Sequence, residues 1–218
     1  MNNFLELKKL SKSFKTEKTV KVLKNLSQKF IKGKTYSIIG PSGSGKSTLL
    51  NLISLIDRPS SGSIYFDKIQ VNFDDSEKND IFRSKKIGIV YQQNNLLPDF
   101  TALENIFLAS LAVNNNKELA ILNAEKLLKK IGLSKRADHF PSQLSGGEAQ
   151  RIAIARAIIN DPDIILADEP TGSLDMETAK DIFELLNKQK KPNRLIIFAT
   201  HNRFFANKAD CLLEMRDG

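Results

Sequence analysis

Residues 40–48 contain the pattern G-x-x-x-x-G-K-[ST] with every fixed position filled. The three glycines of this stretch let the backbone turn N–H groups inward with no Cβ in the way, which makes a concave nest of partial positive charge. Lys46 can reach the outer phosphates of a nucleotide, and the Ser47 hydroxyl can bind Mg²⁺. The pattern predicts a phosphate cradle formed by Gly40, Pro41, Ser42, Gly43, Ser44, Gly45, Lys46, Ser47 and Thr48.

The segments on either side of this loop provide the setting that it needs. The run Thr35–Ile39 before it predicts a short buried strand, and residues 49–56 after it predict a buried helix. A helix that starts at the loop points its unpaired N–H groups and its positive dipole end at the phosphates. Strand, loop and helix in this order favour a nucleotide site over a chance match.

Three further apolar runs that predict buried strands end in polar side chains. They are followed by Gln92, by the pair Asp168 and Glu169, and by His201. Ligands of open α/β sheets bind beyond the carboxyl ends of the strands, so parallel strands would gather these groups at the phosphate loop. Hydrolysis of MgATP needs one carboxylate for the metal and another to take a proton from water. We assign the metal to Asp168 and the proton to Glu169.

The middle of the chain has a different periodicity. Residues 95–160 carry apolar positions at helical spacing. Gly146 and Gly147 open a helix predicted for residues 148–159, and its N-terminus is a second potential anion site. The fold class is therefore α/β, in one domain over residues 1–218, with a core of residues 1–92 and 160–218 and a helical subdomain of residues 93–159.

Two further segments of the core predict where secondary-structure elements begin and end. Residues 72–78 are polar and predict a connection between elements, and residues 195–200 are interpreted as the last buried strand.

Composition limits the function classes. The chain has 218 residues, 41% of them hydrophobic and 27% charged, as in globular proteins. No apolar run approaches the roughly 18 residues that span a bilayer, and the first 13 residues lack the apolar core of a signal peptide. We expect a cytoplasmic protein that reaches a membrane through partners. Cys211 is the only cysteine, which excludes disulfides within the chain and sites with several cysteines.

The net charge of +8 is concentrated at the start of the chain. Residues 1–34 hold ten lysines against Glu6 and Glu17. A surface for nucleic acid or for an anionic membrane is one interpretation. A solvated edge of strands is the other, and it is favoured because the lysines lack the regularly interleaved aromatic residues of a base-stacking platform. No nucleic-acid partner is expected.

Taken together, these motifs resemble a known family. The phosphate loop, the signature L-S-G-G-E in residues 144–151, Asp168–Glu169, the S-L-D of residues 173–175 and His201 occur in the order and at the spacing of ATP-binding subunits of ABC transporters. The likeness covers essentially the whole chain, and the signature is more specific than the phosphate loop, which many NTPases share. It implies a RecA-like P-loop NTPase core with a mostly parallel sheet, an N-terminal antiparallel β region and an inserted α-helical subdomain.

The resemblance also implies cofactors, a second copy and residue roles. Two copies would stack head to tail with ATP and Mg²⁺ between them, each ATP being held by the phosphate loop of one copy and the signature of the other. The resemblance implies that Phe14, where the family often has Tyr, stacks on adenine, and that Ser145, Gly146 and Gly147 contact the ATP of the other copy. It implies metal binding by Ser47, Gln92 and Asp168, with Gln92 sensing Mg²⁺ and water.

The implied catalytic residues are Glu169, His201 and Gln92, and His201 would contact the γ-phosphate. Asp175 would lie in the D-loop.

Residues 95–105 and 213–218 are most similar to the branch of the family that powers lipoprotein release, and the macrolide-export and cell-division branches share parts of them. Ala149 and Ser173 depart from the usual Gln and Asn. The resemblance implies integral membrane subunits of LolC/LolE type as partners, and a peripheral position on the cytoplasmic face of the inner membrane. A cell-division or macrolide-efflux ATPase is the alternative, and a soluble ABC ATPase that acts on nucleic acid is a weaker one. Leu96, Leu97 and Phe100 either face the membrane partner or pack inside the helical subdomain.

Overall fold

The computed structural model describes residues 3–15 and 19–218. The chain forms two compact units, Met1–Arg83 with Lys190–Gly218 (unit 1) and Ser84–Gln189 (unit 2). In chain order the elements are β1 (Asn3–Lys15), β2 (Thr19–Ile31), β3 (Thr35–Ile39), α1 (Lys46–Ile53), β4 (Ser61–Phe66), β5 (Ile69–Gln70), α2 (Ser76–Lys86), β6 (Ile87–Val90), α3 (Ala102–Asn114), α4 (Lys117–Lys130), α5 (Gly146–Ile158), β7 (Ile164–Asp168), α6 (Met176–Asn187), β8 (Leu195–Ala199), α7 (Arg203–Ala206) and β9 (Cys211–Glu214).

The N-terminal strands of unit 1 form an antiparallel sheet in the order β2-β1-β4-β5. Leu5 and Leu7 alternate onto the buried face of β1, as the two-residue period of a strand requires. Leu10 lies three residues further along and would face the other way, but the register shifts between Leu7 and Leu10, and Leu10 is buried too. An irregularity of this kind returns a side chain to the core without a change of strand.

Unit 1 also contains three parallel strands in the order β8-β3-β9. Tyr36 pairs with Ile197 on one side and with Cys211 on the other. Every residue of β3 and β8 is buried, as expected of parallel strands covered on both faces. The carboxyl ends of β3 and β8 therefore lie at one edge of this sheet, and each continues into a predicted site residue.

Unit 2 combines a parallel strand pair with a helical core. Ile87 pairs with Ile164 and Val90 with Ala167, so β6 and β7 end side by side. The helices α3, α4 and α5 bury small and aliphatic side chains against one another, and the fully buried members of this core include Ala102, Ile106, Ala124, Leu128, Ile152 and Ala155. Residues 93–159 hold these helices and no strand. The division into a core and a helical subdomain stays a prediction.

One boundary prediction is wrong, and one short strand was not predicted. The helix α2 begins at Ser76, inside the segment of residues 72–78 that was interpreted as a connection. None of its residues is buried, so it has no apolar stripe to reveal it. The strand β9 was not predicted. It follows β8, which was interpreted as the last buried strand, and none of the residues of β9 is buried, so its apolar signal is weaker than that of β8. No helix among the described residues has the length and apolar character needed to cross a bilayer.

Asp210 fixes the start of β3. Its carboxylate accepts hydrogen bonds from the Thr35 N–H at 2.7 Å and the Thr35 hydroxyl at 2.9 Å, and it pairs with Lys190 at 2.7 Å. Partial burial raises the pKa of Asp210, but the hydrogen bonds from Lys190 and Thr35 outweigh this and lower the pKa to about 2. The carboxylate therefore stabilises the fold in its ionised form.

We predict that Asp210→Asn lowers the free energy of unfolding at pH 7 by about 1 kcal/mol, allowing for solvent screening of a partly exposed pair. Because the folded-state pKa is depressed, the contribution is complete above the unfolded pKa near 4 and is lost as the pH falls toward 2. The deficit should shrink when urea unfolding is measured at decreasing pH. Asp99→Asn, at an exposed position, is the control. A deficit that is constant with pH would contradict this role.

Candidate functional site

The phosphate loop of unit 1 joins the buried strand β3 to the helix α1. Gly45 precedes α1 with a left-handed φ of 98°, and no side chain caps the helix. A Cβ at Gly45 would also lie 2.9 Å from the Leu23 side chain. Both the backbone conformation and the space beside β2 therefore favour glycine at this position. The first N–H groups of α1 are thus left to a ligand, and an anion is the ligand that they favour.

Lys46 is held over this loop by backbone carbonyls. Its ammonium donates to the Gly40 oxygen at 2.8 Å and to the Pro41 oxygen at 3.0 Å, and the residue is only 8% exposed. Carbonyl partners satisfy the cation without neutralising it, so its charge remains available to phosphate oxygens. The buried Ser44 hydroxyl finds no hydrogen-bond partner within residues 3–15 and 19–218. These features fit a loop that is completed by a phosphate group.

His201 lies at the same sheet edge of unit 1 as the phosphate loop. The Thr200 N–H donates to the Ile38 carbonyl at 3.0 Å, so the chain leaving β8 stays beside β3 up to this point. Thr200 is buried and its hydroxyl accepts from the Asn202 N–H, whereas His201 is exposed. The predicted convergence of these two strand ends is therefore present in unit 1.

Phe14 presents an open aromatic ring near the end of β1. The residue is 41% exposed, and the Lys12 ammonium lies 4.9 Å from the ring centroid. Phe14 pairs with Val20, and Val22, two residues further along β2, contacts the position of a Cβ at Gly45. An exposed ring on the strand pair beside the phosphate loop suits stacking on a planar base.

The ends of β6 and β7 bring together two predicted catalytic residues of unit 2. A Cβ at Gly172 would lie 3.0 Å from the Gln92 amide nitrogen and 3.4 Å from the Glu169 Cβ. Glu169 has a left-handed φ of 45°, and its carbonyl accepts from the Gly172 N–H at 3.0 Å. Such a backbone costs about 1–3 kcal/mol and tends to occur at functional sites. Asp168, the last residue of β7, is half-buried beside it.

The signature motif forms a firmly capped helix start in unit 2. The Ser145 hydroxyl accepts from the Glu148 N–H, and the Glu148 carboxylate accepts from the Ser145 N–H at 2.8 Å. Arg136 holds the same carboxylate at 2.8 Å. The hydrogen bond from the Ser145 backbone, followed by that from Arg136, lowers the pKa of Glu148. Ser145 and Gly146 are exposed, so a fixed serine and glycine face outward.

The signature glycines lie against the segment that contains Asp175. A Cβ at Gly147 would come within 2.5 Å of Thr178 Cγ2, and one at Gly146 would be 3.4 Å from the Leu174 side chain. Asp175 caps α6 by accepting from the N–H groups of residues 177 and 178 at 3.0 Å each. The hydrogen bonds from the side chain and then the backbone of Thr178 lower the pKa of Asp175. The close packing explains a glycine at position 147.

Sequence reasoning missed the residues that support this site. The S-x-x-E spacing of Ser145 and Glu148 is a recognisable capping box and could have been found. Arg136 carries no such signal, because it lies in the 3-10 turn Ser134–Arg136, nine residues before Ser145 in the chain. The role of Gly172 depends on the proximity of Gln92, which is distant in sequence.

These parts define a class. A glycine loop between a buried parallel strand and a helix in unit 1, and two carboxylates at the end of a buried strand in unit 2, are components of a P-loop nucleoside triphosphatase. The serine-capped glycine pair at the start of α5 narrows this class to ATP-binding cassettes. The ABC transporter family model matches residues 23–172, and the chain belongs to the ABC transporter family.

Individual relatives agree with this assignment. The chain is 43% identical over 220 residues to the lipoprotein-releasing system ATP-binding protein LolD of Ehrlichia ruminantium (strain Gardel). The aligned region covers 100% of this chain and 96% of that protein. It is 42% identical to the macrolide export ATP-binding/permease protein MacB of Mannheimia succiniciproducens over 99% of this chain and 34% of MacB. A dimeric post-hydrolysis structure of the ATP-binding cassette MJ0796 bound to ADP and Pi superposes with a TM-score of 0.91 and 40% identity over 98% of this chain and 95% of that chain.

Family membership confirms the predicted fold class and the prediction of an ATP-binding and ATP-hydrolysing subunit. The roles of individual residues stay predictions. The structure places Gly40–Thr48, Phe14 and His201 in unit 1, and Gln92, Asp168, Glu169, Ser145, Gly146 and Gly147 in unit 2.

We predict that Gly147→Ala destabilises the protein by about 1–3 kcal/mol, because the new methyl group overpacks against Thr178. Alanine would otherwise favour a helix over glycine by about 1 kcal/mol. Combination with Thr178→Ser, which removes Cγ2 and keeps the hydroxyl, should restore most of the loss in thermal unfolding. Gly146→Ala is the matched control, since its Cβ would make only an ordinary contact. Equal unfolding midpoints for the two alanine variants would contradict the packing account.

Proposed function

We propose that the chain powers the release of lipoproteins from the bacterial inner membrane, through integral membrane subunits of LolC/LolE type. The observation that carries this proposal is the match to LolD proteins over the whole chain, at 43% identity in Ehrlichia ruminantium and 40% in Cytophaga hutchinsonii. The site supplies ATP hydrolysis, and the membrane subunits would supply the lipoprotein contact. The position that follows is peripheral, on the cytoplasmic face of the inner membrane.

Macrolide export is the second candidate, because the likeness to MacB is almost as high as that to LolD. A cell-division ATPase of the FtsE kind is a third, suggested by residues 95–105 and 213–218. The residues that handle ATP do not separate these functions, because the hydrolysis reaction is the same in each. The identity of the membrane subunits separates them.

We propose these roles in hydrolysis. The loop N–H groups and Lys46 bind the phosphates, Glu169 takes a proton from the attacking water, and Gln92 and His201 orient water and γ-phosphate. The Ser47 hydroxyl, the Asp168 carboxylate and the Gln92 amide oxygen would hold Mg²⁺, and hard oxygen donors are its preferred ligands. When bound by these residues, Mg²⁺ would neutralise charge that develops on the phosphates. Gly172 keeps the space in which Gln92 lies beside Glu169.

A second copy of the chain is the proposed partner at the nucleotide. Ser145 and Gly146 are exposed at the start of α5, where capping by Glu148 and Arg136 fixes their backbone. Such a helix start binds an anion only when one is brought to it, and the phosphates of ATP on another copy are anions of this kind. The similar MJ0796 cassette is described as a dimer, which supports this arrangement.

The lysine-rich sheet supports the proposal that no nucleic acid is involved. Lys8 and Lys29 lie 3.8 and 3.5 Å from the Glu6 carboxylate, and Lys32 lies 3.8 Å from Asp67. Lysines that pair within the sheet are less available to phosphates of a nucleic acid. Glu17 and Lys18, which were counted in this basic segment, lie outside the described residues.

We predict that Glu169→Gln binds ATP and dimerises but loses roughly 10²–10⁴-fold in turnover, as expected when a general base is removed. Steady-state ATPase assays, nucleotide binding and light scattering measure the three properties. Glu125→Gln, at an exposed position of α4, should match the wild type. A Glu169→Gln variant with an undiminished rate would remove the residue from the role of base.

We also predict that the tagged chain, purified from membranes with ATP in the Glu169→Gln background, retains integral subunits of the lipoprotein-releasing type. Slow turnover should keep the complex in its ATP-bound form during purification. Mass spectrometry identifies the subunits, and a purification without nucleotide is the control. Recovery of a cell-division membrane protein or of a macrolide permease in their place would replace lipoprotein release with the corresponding alternative.

A further inference from the structure

The turn that follows Gln92 has an unusual backbone. Asn94 and Asn95 both have left-handed φ values, 32° and 47°. Asparagine tolerates this region better than most residues, but consecutive left-handed residues still cost free energy and need support from their surroundings. Within the turn, the Asn95 N–H donates to the Gln93 carbonyl. This bond spans only two residues, so the conformation depends on contacts from outside the turn.

Arg156 of α5 supplies such contacts. Its guanidinium donates from Nη2 to the Asn94 carbonyl at 2.8 Å and from Nη1 to the Asn95 carbonyl at 2.7 Å. The planar fork of an arginine fits two neighbouring acceptors at once, which a lysine ammonium does less well. Burial lowers the pKa of Arg156, so the cation depends on these carbonyls for its solvation. The turn and the guanidinium therefore stabilise each other.

A second side chain of α5 holds the start of the same segment. Gln150 is 2% exposed and donates to the Tyr91 carbonyl at 3.3 Å. Positions 150 and 156 are about 9 Å apart along the helix axis. Residues 91–95, which include Gln92, are thus tied to α5 at two separate points. The same helix begins at Ser145.

We propose that Arg156 is a positioning residue for ATP hydrolysis, which clamps the Asn94–Asn95 turn and thereby sets the position of Gln92. The proposal rests on the role of Gln92 in the proposed function. A rigid helix that carries Ser145 at its start and the Gln92 segment on its side moves both together. Engagement of Ser145 with the ATP of a second copy would then also place Gln92, so that hydrolysis follows assembly of the dimer. Leu97 and Phe100, which are 43% and 39% exposed just after the turn, would move with it.

The test is a double-mutant cycle with Arg156→Lys and Gln92→Ala in the full chain. Arg156→Lys keeps the charge and removes the fork, and we expect kcat to fall about five-fold with the KM for ATP within about two-fold of the wild type. In the Gln92→Ala background, Arg156→Lys should cause little further loss, because its effect passes through Gln92. Arg58→Lys, on an exposed guanidinium that pairs with Asp74, is the control. Thermal unfolding confirms that each variant is folded.

Two results would overturn the proposal: an unchanged kcat for Arg156→Lys, or losses from Arg156→Lys and Gln92→Ala that multiply in the double variant. If Arg156→Lys does not fold, Asn95→Ala replaces it, since alanine disfavours the left-handed backbone at an exposed position. The same loss of kcat and the same absence of a further loss with Gln92→Ala are expected. If Glu169→Gln abolishes turnover while Arg156→Lys has no effect, the clamp is wrong and the ATPase function stands.

Discussion

A backbone N–H group can approach the oxygens of a phosphate closely only where no Cβ intervenes, and the glycine loop before α1 meets this condition. This steric constraint applies at the phosphate loop of unit 1. In unit 1 it requires Gly45 in a left-handed conformation between β3 and α1, with β2 packed so closely that even an alanine would collide with Leu23. In unit 2, Gly147 is needed for a different reason, because a Cβ there would lie 2.5 Å from Thr178 Cγ2. The exposed Gly146 beside it leaves the start of α5 accessible to an anion.

Rigid support is the second requirement, because glycine by itself gives a mobile backbone. The phosphate loop follows a fully buried strand, and that strand is anchored at its other end by Asp210. The signature is held by a chain of charged contacts from Ser145 through Glu148 to Arg136. The groups that we propose to contact phosphate are therefore preorganised, which would reduce the reorganisation needed when a nucleotide binds.

The sequence was sufficient to predict the parts whose function demands a fixed pattern. The phosphate loop, the two carboxylates after β7 and the signature follow recognisable patterns, so they could be located without a structure. The strands β3, β7 and β8 were also predicted, because burial on both faces leaves them with few polar residues and makes β8 apolar throughout. Where burial is absent or one-sided, as in α2 and β9, the apolar signal fades and the prediction failed.

The supporting contacts were beyond prediction for a different reason. Gly172 and Arg156 act through residues that are about 60 to 80 positions away in the chain, and only the fold brings them together. A single sequence shows the candidate residues for nucleotide binding but not the residues that hold those candidates in place. A surface that would select a membrane partner is equally hard to predict from a single sequence. Hydrolysis does not require Leu97 or Phe100. Both are exposed, which favours the interpretation that they face a partner over packing inside the helical subdomain. The motifs of this cassette therefore predict the reaction that it catalyses. The choice of cargo depends on surfaces that those motifs do not specify.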